Sequence, residues 1–373
     1  MVKRRVLLVL PRSDDLYYFT DVITNYISEL KRVTGFEVKS LVGDEARARN
    51  VKNVLESFNP HYIFFLGHGR SCIYTVEKRE VLLCTEFTQC TESGCRGDAS
   101  SHECTVSQAD WNEMCTSWNI ENTKLLKDKV VYFLSCCFGN SGDYLTTCWP
   151  WYCPVGVRGF VGYCDLYWFY GGGCAQLPGL VELHGYYNIA LFTFLVKGDP
   201  LNEVVGKAKK IVDIFMRYTD HVVVPEPWEA CVDYIYQTFD KDIKALIYRG
   251  SNFDSPWPVE GPSEVSIEDI NIRPTPFEIP VKDLEVKFKV RFNRELKCPG
   301  VLITWYNYDN WFQDITLHLI SPGTKAVEIT MRMNRLHIRL FGNVQPYGRG
   351  TIPKSEWGKV SEKYLEVKAY LIY

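Results

Sequence analysis

Three short runs made almost wholly of apolar residues constrain the fold more than any other feature: Val6 to Leu10, Tyr62 to Leu66, and Val130-Val131-Tyr132-Phe133-Leu134. A strand with one wet face alternates apolar and polar residues, whereas a strand that is apolar throughout is covered on both faces. The intervening segments have a different period. Leu16, Phe19, Val22, Ile23, Tyr26, Ile27 and Leu30 recur every three to four residues, behind a Ser13/Asp14 cap and ahead of Gly35, which predicts a helix. Phe36 to Leu41 reads as the next strand, and a charged helix through Val51, Val54 and Leu55 leads to Asn59-Pro60 and the run at Tyr62. This alternation, with short connections, predicts an α/β fold: a mostly parallel sheet with helices on both faces.

Later segments extend the pattern. Gly159 to Tyr163 is a further predicted strand, followed by a helix from about Leu180 to Val196 and another opened by Asp199-Pro200. In that last helix Val204, Ala208, Ile211 and Phe215 line one face, and Lys207, Lys209 and Lys210 lie off it as a solvated face. Between residues 250 and 282 stand six prolines, Pro256, Pro258, Pro262, Pro274, Pro276 and Pro280, which predict a semi-rigid linker without regular structure. Beyond it the period changes to two. Leu284, Val286, Phe288, Val290 and Phe292 alternate with Glu285, Lys287, Lys289 and Arg291, and similar runs follow near 300–306, 315–320, 326–332, 335–341 and 364–372. A chain of 373 residues also exceeds the usual size of one core. The expected organisation is an α/β domain over 1–250 with an insertion at about 72–125, a linker over 251–282, and an all-β sandwich over 283–373.

Composition narrows the function classes. With 42 Lys+Arg against 45 Asp+Glu the net charge is −3, which offers no general pull toward nucleic acid or anionic lipid. No apolar run reaches the roughly 18 residues of a membrane span. Met1-Val2-Lys3-Arg4-Arg5 followed by Val6 to Leu10 imitates a signal peptide, but the run meets Pro11-Arg12-Ser13-Asp14-Asp15 without a cleavage site, so a buried first strand and a cytoplasmic protein are expected. Thirteen of the 14 cysteines fall between Cys72 and Cys231. Disulfides for part of this set are the leading reading, of a kind known inside hyperthermophile cells, with connectivity open. Cys84, Cys90, Cys95, His102 and Cys104 form the densest group; their spacing departs from the usual pairs of structural zinc sites, though a zinc site stays an alternative.

Two motifs stand at the ends of predicted central strands, where open α/β sheets bind their ligands. The first is Phe64-Phe65-Leu66-Gly67-His68-Gly69 and the second Phe133-Leu134-Ser135-Cys136-Cys137-Phe138-Gly139. Glycines flanking His68 strip bulk from both sides of the imidazole and let backbone or substrate approach. A cysteine ending a buried strand can present its sulfur at the same rim. Together they form a candidate dyad, with His68 assisting a thiolate at Cys136 and later protonating a leaving amine. Taken singly, a His-Gly pair and a buried cysteine are more often structural.

The two motifs resemble the catalytic pattern of the caspase/gingipain/clostripain/CHAT cysteine peptidases, clan CD, nearest the gingipain-like and CHAT-like branches. Leu126 to Val130, Val157 to Tyr163 and Phe192 to Lys209 with its Gly198-Asp199-Pro200-Leu201 link also fit, so the resemblance spans roughly residues 1–250. It implies a caspase-like sheet, His68 as general base and acid, Cys136 as nucleophile, and backbone N–H groups of Gly69 and Cys136 as oxyanion donors. The neighbouring thiol, Cys137, is the alternative nucleophile; the Gly139 spacing favours Cys136. Relatives that cleave after Arg or Lys carry acidic pocket residues. Leu134 stands where some have an Asp, and Asp165 lies where clostripain-like relatives have a second acid, its alternative role being to cap a loop. Trp149, Trp151, Tyr167, Trp168 and Tyr170 read as packing or cleft wall, and His318 and His337 as structural. The β domain resembles the Ig-like domain that follows gingipain-like catalytic domains.

These readings imply a cysteine endopeptidase acting on a protein or peptide substrate, needing no metal or other cofactor, with an activating or regulatory protein as a further partner. Two rivals stand beside it: a catalytically silent caspase-like binding module, and a zinc-stabilised interaction protein.

Overall fold

The computed structural model describes residues 3–10, 17–46, 48–66, 69–70, 81–84, 115–118, 124–134, 156–163, 180–219, 246–258, 263–274, 284–308, 311–332, 363 and 365–373. The chain divides into two compact units. The first comprises Met1–Phe169, Leu191–Val205 and Thr238–Pro256; the second comprises Tyr170–Ala190, Gly206–Gln237 and Trp257–Tyr373.

The first unit is built on β1 (Arg5–Leu10), β2 (Glu37–Val42), β3 (Tyr62–Leu66), β7 (Val130–Leu134), β8 (Gly159–Tyr163) and β9 (Leu246–Gly250), hydrogen-bonded in the order β2-β1-β3-β7-β8-β9. The first five run parallel, and β9 joins antiparallel at the edge. The unbroken apolar runs occupy its centre, where β3, β7 and β8 are buried at every position. The helices are α1 (Tyr17–Thr34), α2 (Ala48–Phe58), α3 (Leu180–Lys197) and α4 (Leu201–Thr219).

Both faces of the sheet are covered. On one, Leu7, Val9, Ile63, Phe65, Val131, Phe133 and Phe160 share a core with Val51 and Leu55 of α2. On the other, Phe64 packs between Tyr132 (5.2 Å between ring centroids) and Phe192 of α3 (4.9 Å). The Tyr26 hydroxyl of α1 lies 2.7 Å from Thr193 Oγ1 of α3, so α1 shares that face. Gly35, at φ 66°, ends α1 by donating its N–H to the Lys31 carbonyl, the single bond of a left-handed helix cap. The part of α3 that belongs to this unit, from Leu191 to Lys197, is buried at every position, as its apolar sequence requires.

Two further strand sets lie outside this sheet. A small antiparallel sheet joins β4 (Gly69–Arg70), which starts one residue after His68, to β5 (Val81–Cys84) and β6 (Cys115–Trp118), which fall within the insertion. In the second unit β10 (Val265–Pro274), β11 (Leu284–Phe292) and β14 (Ala326–Arg332) form one three-stranded sheet, and β12 (Gly300–Tyr308), β13 (Trp311–Ile320) and β15 (Leu365–Ile372) form another. All pairings are antiparallel, and a single core joins Val286, Phe288 and Val290 of the first sheet to Leu302, Tyr306 and Leu371 of the second. The prolines do not suppress regular structure through residue 282: β10 is ten residues long and ends on Pro274. It tolerates proline there because β10 is an edge strand and the proline is its last residue. His318 Nε2 lies 2.9 Å from Thr316 Oγ1; the 335–341 run, with His337, lies outside the described residues.

The segment after β9 folds back under the sheet of the first unit. The Asn252 side-chain amide donates to the Leu195 carbonyl (2.8 Å) and the Asp199 carbonyl (2.7 Å), closing the end of α3, whose last carbonyls have no helical partner. Gly198, at φ 94°, makes this possible, because a Cβ there would sit 2.7 Å from the Ser255 Cα. Gly198→Ala combines left-handed strain with a backbone clash and is expected to destabilise by about 1–3 kcal/mol or more. Gly206→Ala, in α4 with nothing near its would-be Cβ, should be neutral or gain about 0.5–1 kcal/mol. Urea denaturation of the two variants checks the contrast, and equal stabilities would contradict it.

Candidate active site

The candidate site is defined by where neighbouring strands stop. β3 and β7 pair in parallel with Tyr62 opposite Val130, and so on to Leu66 opposite Leu134, so the two strands end level. β8 continues the arrangement on the far side of β7, with Phe133 opposite Gly162, and ends one residue later at Tyr163. His68, Cys136 and Asp165 each stand two residues beyond one of these three ends. Adjacent strands in a sheet run about 4.8 Å apart, so the chain leaves Leu66 and Leu134 at points separated by about that distance. His68, Cys136, Cys137 and Asp165 themselves lie outside the described residues, as do Trp149, Trp151, Tyr167, Trp168 and Tyr170.

Gly69 lies in β4, where it stands opposite Leu83 of β5, next to Arg70 opposite Leu82. Antiparallel pairs alternate between one that exchanges both backbone hydrogen bonds and one that exchanges none. A free Gly69 N–H therefore requires the bonded pair to be Arg70 and Leu82. This condition on the Gly69 oxyanion assignment comes from β4, a strand too short for periodicity to reveal.

A group of titratable side chains lies at the opposite, N-terminal edge of the sheet. Arg4 and Arg5 open β1, His61 precedes β3, Lys129 precedes β7 and Arg158 precedes β8. Arg5 lies over Phe58, while Arg4, His61 and Arg158 gather around Phe253 of the returning segment. The guanidinium carbons of Arg4 and Arg158 lie 5.4 and 4.4 Å from its ring centroid, and the rings of His61 and Tyr62 meet it edge-on at 5.6 and 5.4 Å. Arg4 is buried; it donates from Nη1 to the Tyr62 hydroxyl at 2.9 Å and from Nη2 to the Asp254 carbonyl. Lys129 donates from Nζ to Asn59 Oδ1 at 2.5 Å. Burial holds the Lys129 ammonium below its ordinary pKa, with Arg5 adding to the effect. Burial pushes the Tyr62 hydroxyl up despite its arginine neighbour.

His61 accepts the Arg5 backbone N–H at Nδ1 (3.2 Å), which fixes an unprotonated Nδ1. Its pKa is lowered, first by burial and then by Arg5, Arg4 and Lys129. This histidine serves the fold, not the candidate chemistry. The sequence does mark its position, since a basic residue stands directly before each of four strands.

Among the described residues no group of three or more His, Cys, Asp or Glu side chains could hold a metal ion, and no helix is long and apolar enough to cross a membrane. Cys90, Cys95, His102 and Cys104 lie outside the described residues. No family model matches the chain, and no curated protein matches it.

The His61 environment sets a pH dependence of stability. A base whose pKa is lower in the folded state leaves stability unchanged above its unfolded pKa of about 6.5, and stability falls as pH drops below that value and the unfolded chain takes up the proton first. His61→Asn, which keeps an acceptor for the Arg5 N–H but cannot titrate, should flatten the fall of stability between roughly pH 6.5 and 5. Urea midpoints measured across that range provide the check; an unchanged slope would contradict the assignment.

Proposed function

We propose that the chain is a cysteine endopeptidase using a His68–Cys136 dyad, with a caspase-like α/β domain and an Ig-like β domain. The observation that carries this reading is the level, parallel pairing of β3 with β7, ending at Leu66 opposite Leu134. It supports a shared pocket for two motifs that are about seventy positions apart in the chain.

In the proposed reaction His68 takes the Cys136 thiol proton, and the thiolate attacks the scissile carbonyl carbon. The resulting oxyanion accepts hydrogen bonds from the backbone N–H groups of Gly69 and Cys136. The tetrahedral intermediate collapses as the C–N bond breaks, and the imidazolium of His68 returns its proton to the departing amine. A thioester remains. Water, losing its proton to His68, then attacks the same carbon, releasing the carboxylic acid and restoring the thiol. No step calls on a metal or other cofactor. Asp165 is the pocket acid in this reading and favours a basic residue before the scissile bond. The substrate is a protein or peptide, and a regulatory protein partner is consistent with the insertion that begins beside the His68 motif.

Two variants test the assignment. Cys136→Ala should abolish labelling by a peptidyl electrophile and lower kcat/KM by about 10⁴-fold or more, while Cys137→Ala should retain both. His68→Ala should cost roughly 10²–10⁴-fold in rate with the fold intact by circular dichroism. Absence of both labelling and peptide-library cleavage in the native protein would favour the silent binding module, and labelling centred on Cys137 would move the nucleophile by one residue.

A further inference from the structure

The insertion raises a question of stability that its sequence alone leaves open. Its sheet pairs β4 with β5 over two positions and β5 with β6 over four, and residues 85–114 separate the two longer strands. Ladders this short are marginal in water, and closing a long connection between them costs chain entropy. The polar stretch rich in Thr, Ser and Gly that joins them supplies few apolar residues for a core of its own. Small units with this deficit are commonly held by covalent cross-links.

The last position of β5 and the first of β6 are both cysteine. Cys84 stands directly opposite Cys115 in the antiparallel register, following Leu83 opposite Thr116. Directly opposed residues lie on one face of a sheet, with Cα atoms about 4.5 or 5.5 Å apart according to the hydrogen-bonding class of the pair. Both values fall within the roughly 4.4–6.8 Å span of disulfide Cα separations. We infer that Cys84 and Cys115 form a disulfide that clamps β5 to β6 and closes the 85–114 connection into a loop. The two thiols give up two protons and two electrons as the S–S bond forms. A small-molecule disulfide takes them up and is reduced to two thiols. The bridge sits one residue from Leu83, the partner of Gly69, and it removes Cys84 from any zinc set with Cys90, Cys95, His102 and Cys104. It does not depend on the proposed peptidase activity.

Peptide mapping of the full chain tests the bridge. Protein purified without reductant is equilibrated with oxidised glutathione, its remaining thiols are alkylated, and the digest is analysed by mass spectrometry. The expected product is one species joining the Cys84 and Cys115 peptides, two hydrogens lighter than their sum and separated by reduction. Cys90→Ser should leave this species at its native yield, and in Cys115→Ser the Cys84 thiol should be alkylated. Recovery of both cysteines alkylated in the native chain would overturn the inference. So would linkage of either to a different cysteine, or stoichiometric zinc that is lost in Cys84→Ser.

Discussion

The level ending of β3 and β7 is the constraint on which the account rests. Parallel strands do not turn into one another, so residues far apart in sequence meet only if register brings their ends together. Here each residue from Tyr62 to Leu66 has its partner between Val130 and Leu134 at the same height, and β8 carries that level across. The register is strongly specified because both faces of these strands are buried. A slip of one residue would move Phe64 off Tyr132 and Phe192 and transfer Phe65 from the α2 face to the α3 face. Core packing thus sets the level at which β3 and β7 end.

The N-terminal edge of the sheet is tied down by the segment that follows β9. At the N-terminal edge, the guanidinium groups of Arg4 and Arg158 lie over Phe253, the rings of His61 and Tyr62 meet it edge-on, and Asn252 closes the end of α3. Cation–π contacts of this kind are worth about 0.5–2 kcal/mol each, more where water is excluded. They tie the returning segment to the sheet at the end opposite Leu66 and Leu134. Open α/β sheets carry their ligand sites at the C-terminal edge, beyond Leu66, Leu134 and Tyr163 here.

Much of this is legible because burial on both faces writes itself into sequence as an unbroken apolar run. Tyr62–Leu66, Val130–Leu134 and Gly159–Tyr163 read at their observed bounds, and Leu284–Phe292 follows from its alternation. β9 escapes such a reading because Leu246–Gly250 is short, ends in Arg249-Gly250 and pairs at an edge, where no strict pattern is required. β10 is hidden by its prolines, since Ser266-Ile267-Glu268-Asp269 gives only weak alternation and the register breaks between Glu268 and Asn271. β4 to β6 carry two to four residues each, below the length at which a period can be recognised. For the candidate site, the sequence supplies the identity of His68, Cys136 and Asp165, and the strand ends support their neighbourhood. Local pattern does not disclose the Gly69–Leu83 pairing, because the two residues lie on separate short strands, only one of them in the insertion.

The most direct measurement is the distance between the nearer ring nitrogen of His68 and Cys136 Sγ in crystals of the chain bound to a peptidyl inhibitor. The account predicts about 3–4 Å, with both groups open to one water-filled cleft and a looser spacing in the free protein. Side chains facing opposite sides of the sheet, or sealed from solvent, would contradict it.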